Sequence, residues 1–336
     1  QPEVSQGTLQ ATYEFQSLIC ELTGMDVANA GMYDGASAMA EAALMACRVT
    51  HRDNVVVLDT VNPRYRAVLV TYLSPQGIGI STVSWDQLQI DGSTACILAQ
   101  YPNFYGGIEA LGILSDTAHS EGALLVVTAN PVALGMFKAP GDYGADIVTG
   151  ETQPIGVPMS FGGPFVGYFT CKIDYIRQMP GRIVGRTVDH NDRVGYVLTL
   201  QTREQHIRRE RATSNICTSE ALIATGTAVC MAALGPSGLR QMAHLSYQKS
   251  HYAAEAINAL DGYQVINHGT WFHEFVVTCP QSSKETTRKL LERGIIGGLD
   301  ISDVEPNGML FCVTEMNTKL EIDFLVETLK KISTGL

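Results

Sequence analysis

Between residues 54 and 148 the chain alternates uninterrupted apolar segments with helix-like stretches, and this alternation leaves few folds open. Asn54-Val55-Val56-Val57-Leu58, Thr94 to Ala99, Ala123-Leu124-Leu125-Val126-Val127-Thr128 and Ala145-Asp146-Ile147-Val148 are strand-length and lack a regular polar side. A strand with one wet face alternates apolar and polar residues, so strands that do not alternate are covered on both faces. Between them lie helix signals. Asn62-Pro63 opens one, with proline suited to the first helical position. A second runs from about Gly107 to Ser120. The pattern predicts an α/β fold with a mainly parallel sheet, helices on both faces and right-handed crossovers.

Two helices precede the sheet. Ser5 is a suitable N-cap for the first; Ala11, Phe15, Leu18, Ile19 and Leu22 share a face, and Gly24 supplies the stop. Met32 to Ser37 turns into the second, Ala38 to Arg48, which has a small apolar face of Ala40, Ala43, Leu44 and Cys47. Gly150 to Ile207 is rich in Gly and Pro and lacks periodicity, as functional or interface segments often do. Helical signal returns at Thr218, breaks at Gly235-Pro236 and resumes from Gly238 to Leu260. The remainder predicts a smaller C-terminal α/β domain: strands at Glu274–Thr278 and Met309–Val313, and helices at Lys284–Arg293 and Lys319–Ile332. In the last helix Leu320, Phe324, Leu325 and Leu329 form the expected apolar face. The predicted domains are 1–243 and 244–336, with the break near His244.

With 336 residues, 45% of them hydrophobic, the chain can bury a sizeable core. Its net charge of −11 argues against nucleic acid or an anionic membrane as the main partner. No apolar run approaches the ~20 residues of a membrane span. The eight cysteines form no CxxC pair and read as buried thiols of a cytoplasmic protein. No metal-ligand spacing is visible among His119, His190, His244, His251 and His268, so no metal site is expected.

Two constellations could carry chemistry. Asp34-Gly35-Ala36-Ser37 opens a helix with small residues that let a phosphate approach free N–H groups, although close helix packing would use the same residues. From Arg203 to Arg211, four arginines and His206 crowd nine positions, and the hydroxyl-rich Thr213-Ser214-Asn215 follows. Arginine forks suit phosphate or carboxylate. A solvated surface with Arg–Glu pairs is the plainer alternative.

Longer motifs carry a resemblance. They are Gln1-Pro2-Glu3-Val4-Ser5-Gln6-Gly7, Cys20 to Ala30, Met179-Pro180-Gly181-Arg182-Ile183-Val184-Gly185, Leu200 to Arg209, and Ala212-Thr213-Ser214-Asn215-Ile216-Cys217-Thr218. Together they resemble the glycine decarboxylase P-protein of the glycine cleavage system, closely from Gln1 to about Gly235 and more weakly beyond. The chain is similar to the alpha type, the amino-terminal half of that family. The family pattern implies roughly a hundred further residues before Gln1, consistent with a first residue that is not Met. The tail from Ser333 to Leu336 resembles the natural end of a separate alpha subunit.

The resemblance implies the pyridoxal-phosphate-dependent transferase-like fold, fold type I. It also implies an α2β2 assembly in which a beta subunit and this chain decarboxylate glycine and pass the aminomethyl group to the lipoyl group of H protein. Such enzymes need a Schiff-base lysine and an acid near the pyridine nitrogen. Here the corresponding strands end in Thr128-Ala129-Asn130 and in Gly150-Glu151-Thr152-Gln153-Pro154, and no lysine occurs between Lys138 and Lys172. The expectation is therefore that pyridoxal phosphate sits on the beta subunit, that none is covalently held here, and that the isolated chain is inactive. Arg203, His206, Arg211, Thr213, Ser214 and Asn215 are then expected to form part of the interface or active-site wall, and Asp34, Gly35, Ala36 and Ser37 a relic of the phosphate cup. Two rivals are a structural or regulatory subunit that contributes nothing to the active site, and an autonomous enzyme using Lys138 or Lys172.

Overall fold

The computed structural model describes residues 2–216, 220–267 and 269–334. Gln1, Cys217, Thr218, Ser219, His268, Gly335 and Leu336 lie outside the described residues, and with them part of the opening motif, the end of the Ala212–Thr218 motif, the helix start at Thr218, His268 of the histidine reading and the C-terminal tail. Close contacts group the chain into two units, 1–101 with 110–239, and 102–109 with 240–336. The break expected at 243/244 lies near the division at 239/240, while the assignment of 102–109 to the smaller unit was not legible in the sequence.

The larger unit holds α1 (Gln6–Thr23), β1 (Val27–Ala28), α2 (Gly35–Thr50), β2 (Asn54–Leu58), α3 (Pro63–Leu73), β3 (Gly79–Val83), β4 (Thr94–Tyr101), α4 (Leu111–Ser120), β5 (Leu124–Ala129), β6 (Ile147–Glu151), β7 (Gly167–Cys171), β8 (Ile183–Val188), β9 (Val194–Thr199), α5 (Gln205–Arg208) and the first part of α6 (Ala221–Asn258). The main sheet has the order β1-β7-β6-β5-β4-β2-β3. Strands β3, β2, β4, β5 and β6 run parallel, and β7 is antiparallel to β6. Every residue of β5 is buried, as expected of a strand covered on both sides. Helix α2 packs across β4 to β7, and its residues from Gly35 to Ala46 are all buried.

Local chemistry explains several boundaries. Gly24 ends α1 in the left-handed conformation at φ 68°, whereas Ser5 occupies the N-cap position without a side-chain bond. The helix expected from Gly107 starts only at Leu111. The Asn103 side chain accepts from Tyr105 N and Gly107 N at 3.0 and 2.9 Å, which holds that stretch in a turn. The segment after Gly150 is more ordered than its composition predicts, because β8 and β9 form a separate antiparallel hairpin. Its turn is held by Asp189 Oδ1, which accepts from Asn191 N and Arg193 N at 2.7 and 3.0 Å.

The break expected at Gly235-Pro236 is present inside α6, where Gly235 sits at φ 61° and ψ −179°. By length and composition alone α6 could cross a membrane, contrary to the reading that no run reaches that length. The kink divides it into 221–234, only about 21 Å long and short of the roughly 30 Å hydrocarbon core, and 236–258, which carries Arg240, Lys249 and Glu255.

The smaller unit has β10 (Gln264–Val265), β11 (Glu274–Thr278), α7 (Ser283–Glu292), β12 (Leu299–Asp300), β13 (Gly308–Cys312) and α8 (Lys319–Thr334). Its antiparallel sheet has the order β10-β11-β13-β12. Phe275, Val277, Met309, Phe311, Leu290, Ile322 and Leu329 form its core. In α8 the buried apolar residues are Ile322, Leu329 and Ile332; Leu320 and Phe324, expected inside, point outward.

Candidate functional site

In an open parallel sheet, ligands bind beyond the carboxyl ends of the strands. Such a cavity is present in the larger unit, with a volume of about 130 Å³. Gln100 of β4, Thr128 and Ala129 of β5 with the following Asn130, and Gly150 and Glu151 of β6 line it, joined by Asn62 and Tyr65 from the start of α3. Asn130 is fixed by two local bonds: its N donates to Tyr101 O at 2.9 Å, and its Oδ1 accepts from Val132 N at 3.0 Å. Among the described residues that line it there is no lysine.

Beside it lies the N-terminus of α2. Asp34 caps this helix, accepting from Ser37 N at 2.7 Å, while Asp34 N donates to Ser37 Oγ at 3.2 Å. Asp34 and Ser37 therefore satisfy each other as a capping box. The N–H of Gly35 donates to Glu151 Oε2 at 3.1 Å. Glu151 Oε1 accepts two more backbone donors, Gln153 N at 2.9 Å and Val166 N at 3.1 Å. The positive end of α2 thus faces a carboxylate of this chain. The geometry also demands glycine at position 35, since a Cβ there would meet the Tyr65 hydroxyl at 2.5 Å.

Burial pushes the Glu151 carboxyl above its ordinary value. The three backbone donors pull it back, and Asp34 adds a smaller upward push. Burial likewise raises the Tyr65 phenol, helped by Glu151 and Asp34. These residues do not fit pyridoxal phosphate. Its phosphate would meet a carboxylate at the helix terminus, its ring nitrogen would lack an acid beside Asn130, and its aldehyde would find no lysine in the cavity.

The two lysines weighed for a covalent role are engaged elsewhere. Lys172 Nζ donates to Asp146 Oδ1 at 2.6 Å, and Asp146, 2% exposed, also pairs with His119 at 2.7 Å. Asp146 precedes β6, so this cluster lies at the opposite end of the sheet from the cavity. Lys138 Nζ lies 4.4 Å from the ring centre of Tyr143.

The arginine-rich segment divides into buried and exposed parts. The buried Arg203 fork donates to Met179 O and, at 2.8 Å, to Gly181 O. Asn29 Nδ2 bonds Pro180 O at 3.0 Å from the other side. The Met179-Pro180-Gly181-Arg182 motif is therefore a turn clamped by two side chains. Gly181, at φ 74°, has no room for a Cβ, which would meet Asn29 Nδ2 at 2.8 Å. Buried Glu204 lies 3.4 Å from exposed His206 Nδ1 and 3.7 Å from Arg182 Nε. Thr213 Oγ1 donates to Arg203 O at 3.4 Å, and Ser214 Oγ accepts from Ile216 N at 3.1 Å. Ser214 also acts on α2: burial raises the Glu41 carboxyl, and the Ser214 hydroxyl is the first influence that lowers it again. Arg211 and Asn215 are exposed. Reading the sequence missed Glu151 as the partner of the α2 terminus; the available signal was an acid at the end of the strand next to Asp34-Gly35.

The architecture and strand-end cavity place the chain in fold type I, the class of pyridoxal-phosphate-dependent enzymes. A Burkholderia pseudomallei sphingosine-1-phosphate lyase structure (TM-score 0.68, 15% identity, covering 98% of this chain and 77% of that one) and a NifS-like protein (TM-score 0.70, 13% identity, covering 98% and 89%) share that fold. Closer relatives settle the family. The profile of the glycine cleavage system P-protein matches residues 1–329, and the chain belongs to that family. It is 52% identical, over 99% of its length and 77% of theirs, to proteins of Desulforamulus reducens and Desulfitobacterium hafniense named "Probable glycine dehydrogenase (decarboxylating) subunit 1". It also matches a crystal structure of glycine decarboxylase (P-protein) in inhibitor-bound form, with TM-score 0.96 and 42% identity, covering 99% of this chain and 77% of that one.

Proposed function

We propose that this chain is the non-anchoring subunit of a two-subunit glycine dehydrogenase (decarboxylating). With a beta subunit, as an α2β2 assembly in the cytoplasm, it decarboxylates glycine and passes the aminomethyl group to the lipoyl group of H protein. Pyridoxal phosphate sits on the beta subunit and supplies the electron sink for loss of carbon dioxide. The observation that carries this reading is Glu151. The backbone donor of Gly35 that could take a phosphate in this fold is engaged by a carboxylate of the chain itself. Asp34, Gly35, Ala36 and Ser37 are thus a phosphate cup filled from within.

A protein partner is supported by the first part of α6. Leu222, Gly226, Val229 and Ala233 form one exposed stripe at helical spacing, with Leu222 82% and Val229 64% exposed. Apolar and small residues on an uncovered helix suit close packing against another protein surface. The exposed His206, Arg211 and Asn215, with Thr213 and Ser214, extend toward the partner and line part of its active site. Arg203 supports them from below by holding the 179–182 turn. The seven described cysteines are all free thiols, in keeping with a reducing compartment.

Reconstitution tests the reading. The purified chain, mixed with the beta subunit and lipoylated H protein, is expected to restore exchange of the glycine carboxyl with bicarbonate, while neither subunit alone supports it. Full exchange by the beta subunit alone would leave this chain a structural or regulatory accessory and refute an active-site contribution.

A further inference from the structure

A second cluster lies in the smaller unit, outside the site described above. Glu274 at the start of β11 pairs across the sheet with Cys312 at the end of β13, so both side chains project from the same face. His273 immediately precedes Glu274, and its Nε2 lies 2.9 Å from Glu274 Oε1. The His273 backbone is fixed too, its carbonyl accepting from Val313 N at 3.1 Å. One imidazole nitrogen, one carboxylate oxygen and the Cys312 sulfur all lie within 4.8 Å of one another. His273 is only 7% exposed; its Nδ1 is buried without a hydrogen-bond partner among the described residues, while Glu274 and Cys312 both act on the ring. A buried unpaired nitrogen in a well-packed unit calls for an explanation.

We propose that His273, Glu274 and Cys312 form a site for a thiophilic divalent metal ion, with zinc the best match. Zinc accepts imidazole nitrogen, carboxylate oxygen and thiolate sulfur as ligands, and the thiolate disfavours the harder divalent ions. Tetrahedral zinc holds its ligand atoms roughly 3.3–3.8 Å apart, given bonds of about 2.0–2.3 Å. The exposed Cys312 side chain can rotate to close the remaining gap. Binding displaces to solvent both the Cys312 thiol proton and the proton that His273 holds against Glu274, and leaves the fourth position to water. The ion would staple β11 to β13, stabilising the smaller unit because the unfolded chain does not preassemble the three donors. Sequence spacing conceals the site, since strand pairing alone brings Cys312 to the other two.

The test is cobalt titration of the reduced full chain, followed by absorbance. One equivalent of Co²⁺ should produce a thiolate-to-cobalt charge-transfer band that Zn²⁺ abolishes, and Zn²⁺ should raise the melting temperature. Cys312→Ser, at an exposed position, should remove the band while leaving the metal-free melt unchanged. Glu274→Gln should weaken binding by on the order of 100-fold. Absence of the band in the wild type, or its persistence in Cys312→Ser, would overturn the proposal. So would rapid alkylation of Cys312 that saturating Zn²⁺ fails to slow.

Discussion

Replacing Glu151 probes the contact on which the cavity depends. Its carboxylate accepts three backbone donors, Gly35 N, Gln153 N and Val166 N, at 2.9–3.1 Å. Glu151→Ala leaves all three donors without their acceptor beside a small polar cavity that water can enter in part. An abandoned buried donor costs about 1–3 kcal/mol, so with partial rehydration the expected net loss is roughly 2–4 kcal/mol. Glu151→Gln keeps one acceptor oxygen but turns an amide NH₂ toward N–H donors. It also relieves the burial of a charge, so its expected cost is smaller, about 1–2 kcal/mol.

The two variants also differ in pH dependence. Burial raises the folded-state carboxyl above its ordinary value of 4.5. The folded chain therefore binds this proton more tightly than the unfolded chain does. The resulting stabilisation is present at low pH and is lost as pH rises from 4.5 through the folded-state value. Glu151→Gln removes that slope. Urea denaturation across this range, followed by circular dichroism, reads both effects.

A third readout is specific to the helix terminus. In Glu151→Ala the Gly35 N–H is free for an anion, so inorganic phosphate at about 100 times its dissociation constant should restore about 2.7 kcal/mol. Against chloride at matched ionic strength, phosphate should raise the variant's melting temperature and leave the wild type unchanged. An Ala variant as stable as the wild type, or a wild type with the same phosphate response, would refute the assignment of Glu151 as an internal substitute for an anion.

Further outcomes follow from the same contacts. Arg203→Lys keeps the charge but loses the planar fork that spans Met179 O and Gly181 O, and should lower stability by about 2–3 kcal/mol in chemical denaturation. Gly181→Ala strains a residue at φ 74° and drives a Cβ against Asn29 Nδ2, for a loss of about 1–3 kcal/mol in the same assay. Val229→Glu alters only exposed surface, so its melt should stay within about 0.5 kcal/mol of wild type, while assembly with the beta subunit, read by light scattering, should be lost.

How far the sequence could be read depended on the range of the interactions. Strands β2, β4, β5 and β6 were legible because burial on both faces leaves unbroken apolar runs. The C-cap at Gly24 and the kink at Gly235 were legible because each is local backbone chemistry. The β8–β9 hairpin escaped because Gly185, Gly195, Arg186 and Thr187 interrupt its apolar residues and leave no regular period, and its turn rests on one aspartate. The helix start expected at about Gly107 lies instead at Leu111 because Asn103 holds the preceding residues in a turn. The missing lysine could be seen by inspection, but Glu151 in contact with Gly35 joins residues far apart in sequence. Arg203 stood out for its charge, yet its fork is spent on two buried carbonyls that no linear pattern reveals.

The most direct measurement is a titration of the isolated chain with pyridoxal phosphate, followed by borohydride reduction and intact mass. With Gly35 N bonded to Glu151 and no lysine among the described residues that line the cavity, the mass is expected to stay that of the unmodified polypeptide and no imine absorbance should develop. A stoichiometric adduct mapping to a single lysine of this chain would contradict the assignment.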